Sequence, residues 1–247
     1  MVNLNSSSWI WPFLTAIIVS IFTVLVFKQY LERRKLHQLY WSVGLLFYAV
    51  AAFFEAYSEF TFSWQPFIYR IYVVLAASLV GFLGLGTLEL ISRNKIWPKL
   101  YLVYTLICLL IFFYGSFSAK LDYSKLVPGI TVGGQALGPS LSFPRVMSLF
   151  FNIPGTIFLL GGALVSIYRF LRKREFLYRV WANVLIAIGT IIIAWAGAMA
   201  RMGSTLFLYP AEMLGAAFLF AGFLKAGTLE KGAQKIRKEL IQNEKEN

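Results

Sequence analysis

The sequence predicts an all-α integral membrane protein, a seven-helix bundle, on three observations. Of its 247 residues 59% are hydrophobic and only 14% charged, against about a quarter charged in a typical soluble domain. Apolar runs of about 20 residues, the length that crosses a bilayer core, recur along the chain. One segment, Gly81-Phe-Leu-Gly-Leu-Gly-Thr-Leu-Glu89, returns as Gly222-Phe-Leu-Lys-Ala-Gly-Thr-Leu-Glu230 with two positions changed. Each copy closes an apolar run. Trp41 and Trp181 precede them at corresponding places, each behind a basic cluster. Self-similarity on this scale predicts one three-helix unit used twice.

The spans follow in order. Met1 to Ser8 carry no basic residue and no cleavage site, so the first run, Trp9 to Phe27, is expected to stay as a membrane helix. Lys28, Arg33, Arg34 and Lys35 follow it. The second span, Tyr40 to Phe60, turns through Ser63-Trp64-Gln65-Pro66 into the third, Phe67 to Ile91. After Arg93, Lys95 and Lys99 comes the fourth, Leu100 to Ser118. Residues 119–144 form a polar segment rich in Gly, Ser and Pro, in which 130–136 could make a hairpin at Gly133-Gly134. The fifth span is Arg145 to Phe170, and Arg172, Lys173, Arg174 and Arg179 follow. The sixth is Val180 to Met202 and the seventh Leu208 to Ala226. The tail, 227–247, is charged.

With these spans, every basic cluster falls at one end of the bundle, and Lys231, Lys235, Arg237 and Lys238 of the tail join it. Cytoplasmic loops hold the Lys/Arg excess, so the N-terminus is expected outside and the C-terminus inside, in a cell membrane crossed many times. The net charge of +12 is mostly this bias, and nucleic acid is not an expected partner. Trp9, Trp11, Trp64, Trp41, Trp97 and Trp181 fall at predicted helix ends, where amphipathic rings prefer to lie.

The whole chain then reads as one transmembrane domain. Residues 9–91 are a first triplet, 100–118 a linker helix, 119–144 an outer loop, 145–226 a second triplet and 227–247 a cytoplasmic tail. A single linker helix gives both triplets the same orientation, and parallel repeats are one way to build a transporter with its site between the halves.

A single cysteine, Cys108, excludes an intrachain disulfide and a cysteine metal site. A single histidine, His37, excludes bis-histidine haem ligation within one chain. No nucleotide loop, zinc motif or catalytic triad is recognisable, so no metal or cofactor is expected and an enzyme is the weakest reading.

The candidate site rests on the few polar residues inside the spans, since charges in hydrocarbon are costly and usually face a partner or water. Glu55 and Glu59 lie one turn apart on one helix face. By helical rise Glu55 sits about 7 Å below the outer boundary. Arg70 starts the third helix at similar depth; Arg201 ends the sixth and Glu212 starts the seventh. Each triplet is therefore expected to pair an acid with a base, with the signs swapped, and Arg145 adds a base at the same level. Pro154 should leave the carbonyl of Phe150 without its helical N–H, with Asn152 beside the break.

The expected ligand-binding set is Glu55, Glu59, Arg70, Asn152, Arg201 and Glu212, around an outward polar vestibule for a small solute. The competing reading is a set of interfacial salt bridges fastening helix ends. The alternative function is a sensor, receptor or accessory subunit, packed against a membrane-protein partner or a second copy of the chain. The glycines Gly81, Gly84, Gly86, Gly215, Gly222 and Gly227 suit close helix packing.

The plan of three helices, a linker and three more is similar to that of SWEET-type transporters, KDEL receptors and, more distantly, opsins. It is a likeness of architecture. Lys225 lies near the end of the last span, where it does not fit retinal attachment. The stretch Asn152-Ile-Pro-Gly-Thr-Ile-Phe-Leu-Leu-Gly-Gly-Ala-Leu-Val-Ser-Ile-Tyr-Arg-Phe170 resembles uncharacterised prokaryotic seven-helix membrane proteins, a resemblance that implies a family and no activity.

Overall fold

The computed structural model describes residues 8–127, 134–139, 141–173, 177–202 and 207–226. Among these residues seven helices are long and apolar enough to cross a membrane, and the chain is a multi-pass membrane protein. They are α1 (Ile10–Arg33), α2 (Leu36–Thr61), α3 (Pro66–Ile91), α4 (Ile96–Ser118), α5 (Phe143–Lys173), α6 (Leu177–Arg201) and α7 (Leu208–Ala226). Every expected span is present. Several run further than the apolar pattern, as α1 does past Phe27 to Arg33. Long basic side chains at a helix end still reach water, so the helix need not stop where the hydrocarbon does.

Prolines mark the helix starts. Pro12, Pro66, Pro98, Pro144 and Pro210 all lie in the first turn of α1, α3, α4, α5 and α7. A first-turn N–H has no intrahelical acceptor, so its loss there costs little. Two helices end on left-handed residues: Arg34 and Phe62, both at φ 53°, return their N–H groups to Tyr30 and Ser58 carbonyls. These caps reverse the chain into α2 and α3.

The hairpin expected over 130–136 falls largely on residues 128–133, outside the described ones; Gln135–Leu137 is a turn of 3-10 helix, entered through Gly134 at φ 82°. Before it, Ser124 donates its hydroxyl and N–H to Asp122 Oδ1 at 2.6 and 3.1 Å, which holds that carboxyl below its usual value. The tail and the end of the second repeat copy, from Gly227, also lie outside the described residues.

α3 is the central helix, packed against α2, α4 and α5. Tyr69 of α3, Phe112 of α4 and Phe151 of α5 are fully buried at that junction. α3 and α5 cross backbone to backbone, since a Cβ built on Gly84 would lie 2.7 Å from the Gly155 Cα. Between membrane helices the drive to associate is packing and hydrogen bonding, and small residues let backbones approach. Gly189 of α6 meets α7 in the same way, its Cβ position 2.7 Å from the Gly215 carbonyl oxygen. α7 also packs on α1, where Phe22 lies 5.2 and 4.9 Å from the rings of Phe220 and Phe223.

In the first repeat copy the Trp41 ring lies against Gly86, and its Nε1–H donates to the Leu83 carbonyl at 3.2 Å. In the second, the Lys225 ammonium lies 5.8 Å from the Trp181 ring centre, and Gly222 abuts the Ala182 carbonyl. One of the helix-end tryptophans packs inward. Trp64 is buried, its ring 5.4 and 4.8 Å from Tyr69 and Tyr72. The short turn between α2 and α3 folds it inward onto the α3 tyrosines. Cys108 is buried, as a small apolar side chain would be. The outer face of α4, including Leu110 and Tyr114, is exposed and suits lipid.

Candidate functional site

The site is built where α2 and α7 meet, near the N-terminal ends of α1, α3, α5 and α7. Tyr48, Glu55 and Glu59 lie on the α2 face turned to the bundle interior, with Ala51, Ala52 and Ala56 buried around them. Both glutamates are 2% exposed. A charge held this deep needs hydrogen bonds or a proton, because the interior solvates it poorly.

Glu59 obtains two hydroxyl donors: Ser8 Oγ at 2.6 Å on Oε2 and Tyr209 at 2.7 Å on Oε1. Glu55 Oε1 accepts from the Tyr72 hydroxyl at 2.7 Å. Glu212 of α7 lines the same cavity as Glu55. Glu212 Oε2 is buried and receives no N–H or O–H from the described residues. The Tyr48 hydroxyl donates to the Glu212 backbone carbonyl at 2.8 Å, fixing α7 against α2 at this level.

Two arginines stand opposite. Arg145, 7% exposed, donates to the Gly138 carbonyl at 3.2 Å and the Arg201 carbonyl at 3.1 Å, while its Nε is buried with no described acceptor. Arg201 donates to Ser148 Oγ at 2.7 Å. Between the acidic and basic walls lies a cavity of about 490 Å³, lined among others by Glu55, Glu212, Arg145, Arg201, Asn152 and Tyr72. That volume is within the range of small-molecule sites. It exists because the intervening positions are small: Ala51, Ala52, Ala76, Ala77, Ala194 and Gly197 also line it.

The structure brings four of the six expected residues to this cavity: Glu55, Asn152, Arg201 and Glu212. Glu59 lies one turn away, occupied by its two hydroxyls. Arg70 points elsewhere, donating to the Ser116 and Ala119 carbonyls at the end of α4. Neither expected acid–base pair forms. Arg70 is drawn to the helix terminus, where free carbonyls attract a cation, and Arg201 donates to Ser148. The carbonyl freed by Pro154 is not open either: the Tyr104 hydroxyl donates to Phe150 O at 2.9 Å.

The residues that sequence reasoning undervalued are the tyrosines. Tyr48 precedes Glu55 by two helical turns and shares its face, a spacing visible in the sequence. Tyr72 and Tyr209 depend on how α3 and α7 turn toward α2, which no local pattern reveals.

A second cavity, of about 1100 Å³, opens at the basic end of the bundle. Leu83 of α3, Leu159 of α5 and Leu219 of α7 line both cavities. A layer of leucine side chains therefore separates them.

No known protein family, curated protein or solved structure matches the chain.

Proposed function

We propose that this membrane protein binds a small polar solute in the Glu55–Glu212 cavity and carries it across the bilayer. The observation that supports transport is the three-leucine layer, which lines both cavities, one reaching Arg145 and Arg201 and the other the basic residues at the opposite end of the bundle. A binding protein needs one cavity; a carrier needs a route with a barrier in it. The walls favour a solute with an acidic group toward Arg145 and Arg201 and an N–H or O–H donor toward Glu55 and Glu212. In this reading residues 9–91 and 145–226 are two like-oriented triplets about α4, with the N-terminus outside. Asn152, beside the Pro154 break, adds a hydrogen-bonding group to the α5 wall.

Proteoliposomes holding the full chain and offered zwitterionic, anionic and cationic small solutes test this. Uptake of a zwitterionic or hydroxylated acid above that of empty vesicles is expected. Leu219→Trp should stop uptake by plugging the layer. Glu212→Gln keeps the size of the side chain and removes its acid function, so the variant should fold while binding the solute more weakly. If no solute enters and none raises the thermal stability of the protein, the reading fails.

A further inference from the structure

The larger cavity gathers charge of one sign. Arg33 of α1, Lys35 before α2, Arg93 after α3, Arg169 and Arg172 of α5 and Arg179 of α6 all line it. No aspartate or glutamate is among its described lining residues. Basic residues are common at a cytoplasmic membrane face, but general bias does not require six from five parts of the chain to converge on one cavity. Here they do.

A second observation comes from a neutral group. Gln38 lines the same cavity and is 4% exposed. Its Nε2 donates to Gln29 Oε1 at 3.2 Å, while its own Oε1 is buried and receives no donor from the described residues. A buried acceptor left unmet is costly, and a ligand N–H or O–H would meet it. Deeper in, the lining turns apolar, with Phe22, Leu45 and Phe223.

We propose that this cavity is a binding site for a phosphate ester carrying a free hydroxyl. The phosphate sits among the arginines at the rim, where guanidinium groups match phosphate oxygens in paired hydrogen bonds. The hydroxyl donates to Gln38 Oε1, and a hydrocarbon portion, where the ester has one, lies against the aromatic floor. Two sources share this chemistry: a phospholipid with a glycerol headgroup, and a free polyol phosphate. Basic pockets between membrane helices on the cytoplasmic side suit such headgroups. The site is separate from the Glu55–Glu212 cavity, and a failure of solute transport does not affect it.

The test is native mass spectrometry of the purified full chain with phosphatidylglycerol, phosphatidic acid and phosphatidylcholine, each at equal concentration. Phosphatidylglycerol is expected to bind best, phosphatidic acid less well for want of the hydroxyl, and phosphatidylcholine weakest. Arg169 and Arg172 are exposed, so R169Q/R172Q should fold and bind phosphatidylglycerol about 10-fold more weakly or worse. K28Q/K99Q changes exposed bases that do not line the cavity and should leave binding unchanged. Q38L should abolish the preference of phosphatidylglycerol over phosphatidic acid.

Glycerol 3-phosphate, added as competitor, separates the sources. Displacement of the lipid assigns the site to free polyol phosphates, and failure to displace assigns it to the lipid. Equal binding of phosphatidylglycerol and phosphatidylcholine, or equal losses in R169Q/R172Q and K28Q/K99Q, overturns the proposal. An unchanged lipid preference in Q38L overturns the role of the hydroxyl.

Discussion

The Tyr209 hydroxyl donates to Glu59 Oε1 at 2.7 Å, joining α7 to α2 across 150 residues of sequence. The bond ties the last helix to the second about one turn of α7 away from the Glu212 carbonyl that Tyr48 holds. Side-chain hydrogen bonds between membrane helices average about 0.6 kcal/mol and reach about 1.7. This one, to a buried carboxyl, belongs at the upper end. Tyr209→Phe is expected to lower stability by about 1–2 kcal/mol, read as a lower Tm in detergent. An unchanged Tm would mean that Ser8 alone satisfies Glu59.

Pro154 and Tyr104 make a second coupled pair. The proline removes the N–H that Phe150 would otherwise receive, and the Tyr104 hydroxyl stands in for it at 2.9 Å. Tyr104→Phe should therefore cost about 1 kcal/mol in the natural protein. Pro154→Ala restores the backbone N–H, and in that background Tyr104→Phe should cost almost nothing. A double-mutant cycle measures the difference. Equal costs in both backgrounds would show that the hydroxyl does not replace the missing helical bond.

The glycines of α5 should divide by contact. A Cβ at Gly155 would run into the Val80 carbonyl, whereas one at Gly161 meets nothing within 4 Å. Gly155→Ala is expected to destabilise by about 1–3 kcal/mol through overpacking. Gly161→Ala should be neutral or stabilise by up to about 1 kcal/mol, because alanine favours the helix. Thermal unfolding of the two variants side by side distinguishes them, and similar losses would refute the close crossing.

Arg70 was expected in the ligand site and serves α4 instead. Its guanidinium holds the Ser116 and Ala119 carbonyls where the helix would otherwise end unsatisfied. Arg70→Ala should cost about 1–2 kcal/mol of stability and leave solute affinity unchanged. Weaker solute binding with an unaltered Tm would return Arg70 to the site.

How much of this was legible depends on whether the governing forces are local. The helices were readable because the bilayer demands about 20 apolar residues per crossing and the sequence meets that demand seven times. The face shared by Glu55 and Glu59 was readable from helical spacing, and so was the orphaned carbonyl of Phe150. What answers those groups was not. Tyr104, Tyr72 and Tyr209 reach them from other helices, and a charge pattern along one helix says nothing about the rotation of its neighbour. Arg70 and Glu55 have compatible depth and sign. A helix terminus, however, offered Arg70 fixed carbonyls nearby, and a terminus competes well for a guanidinium.

The crossing of α3 and α5 at Gly84 and Gly155 has a mechanical corollary. Where two rods touch through bare backbone, with Phe151 seated against Gly81 on one side and Thr87 against Gly162 on the other, the touching point is the natural fulcrum between them. Val80 and Leu83, beside that point on α3, line the Glu55–Glu212 cavity, and Leu83 faces the other cavity as well. Tilting α5 about its pivot on α3 would widen the space on one side of the leucines as it narrowed the space on the other, a seesaw whose beam is a helix and whose bearing is two hydrogen atoms.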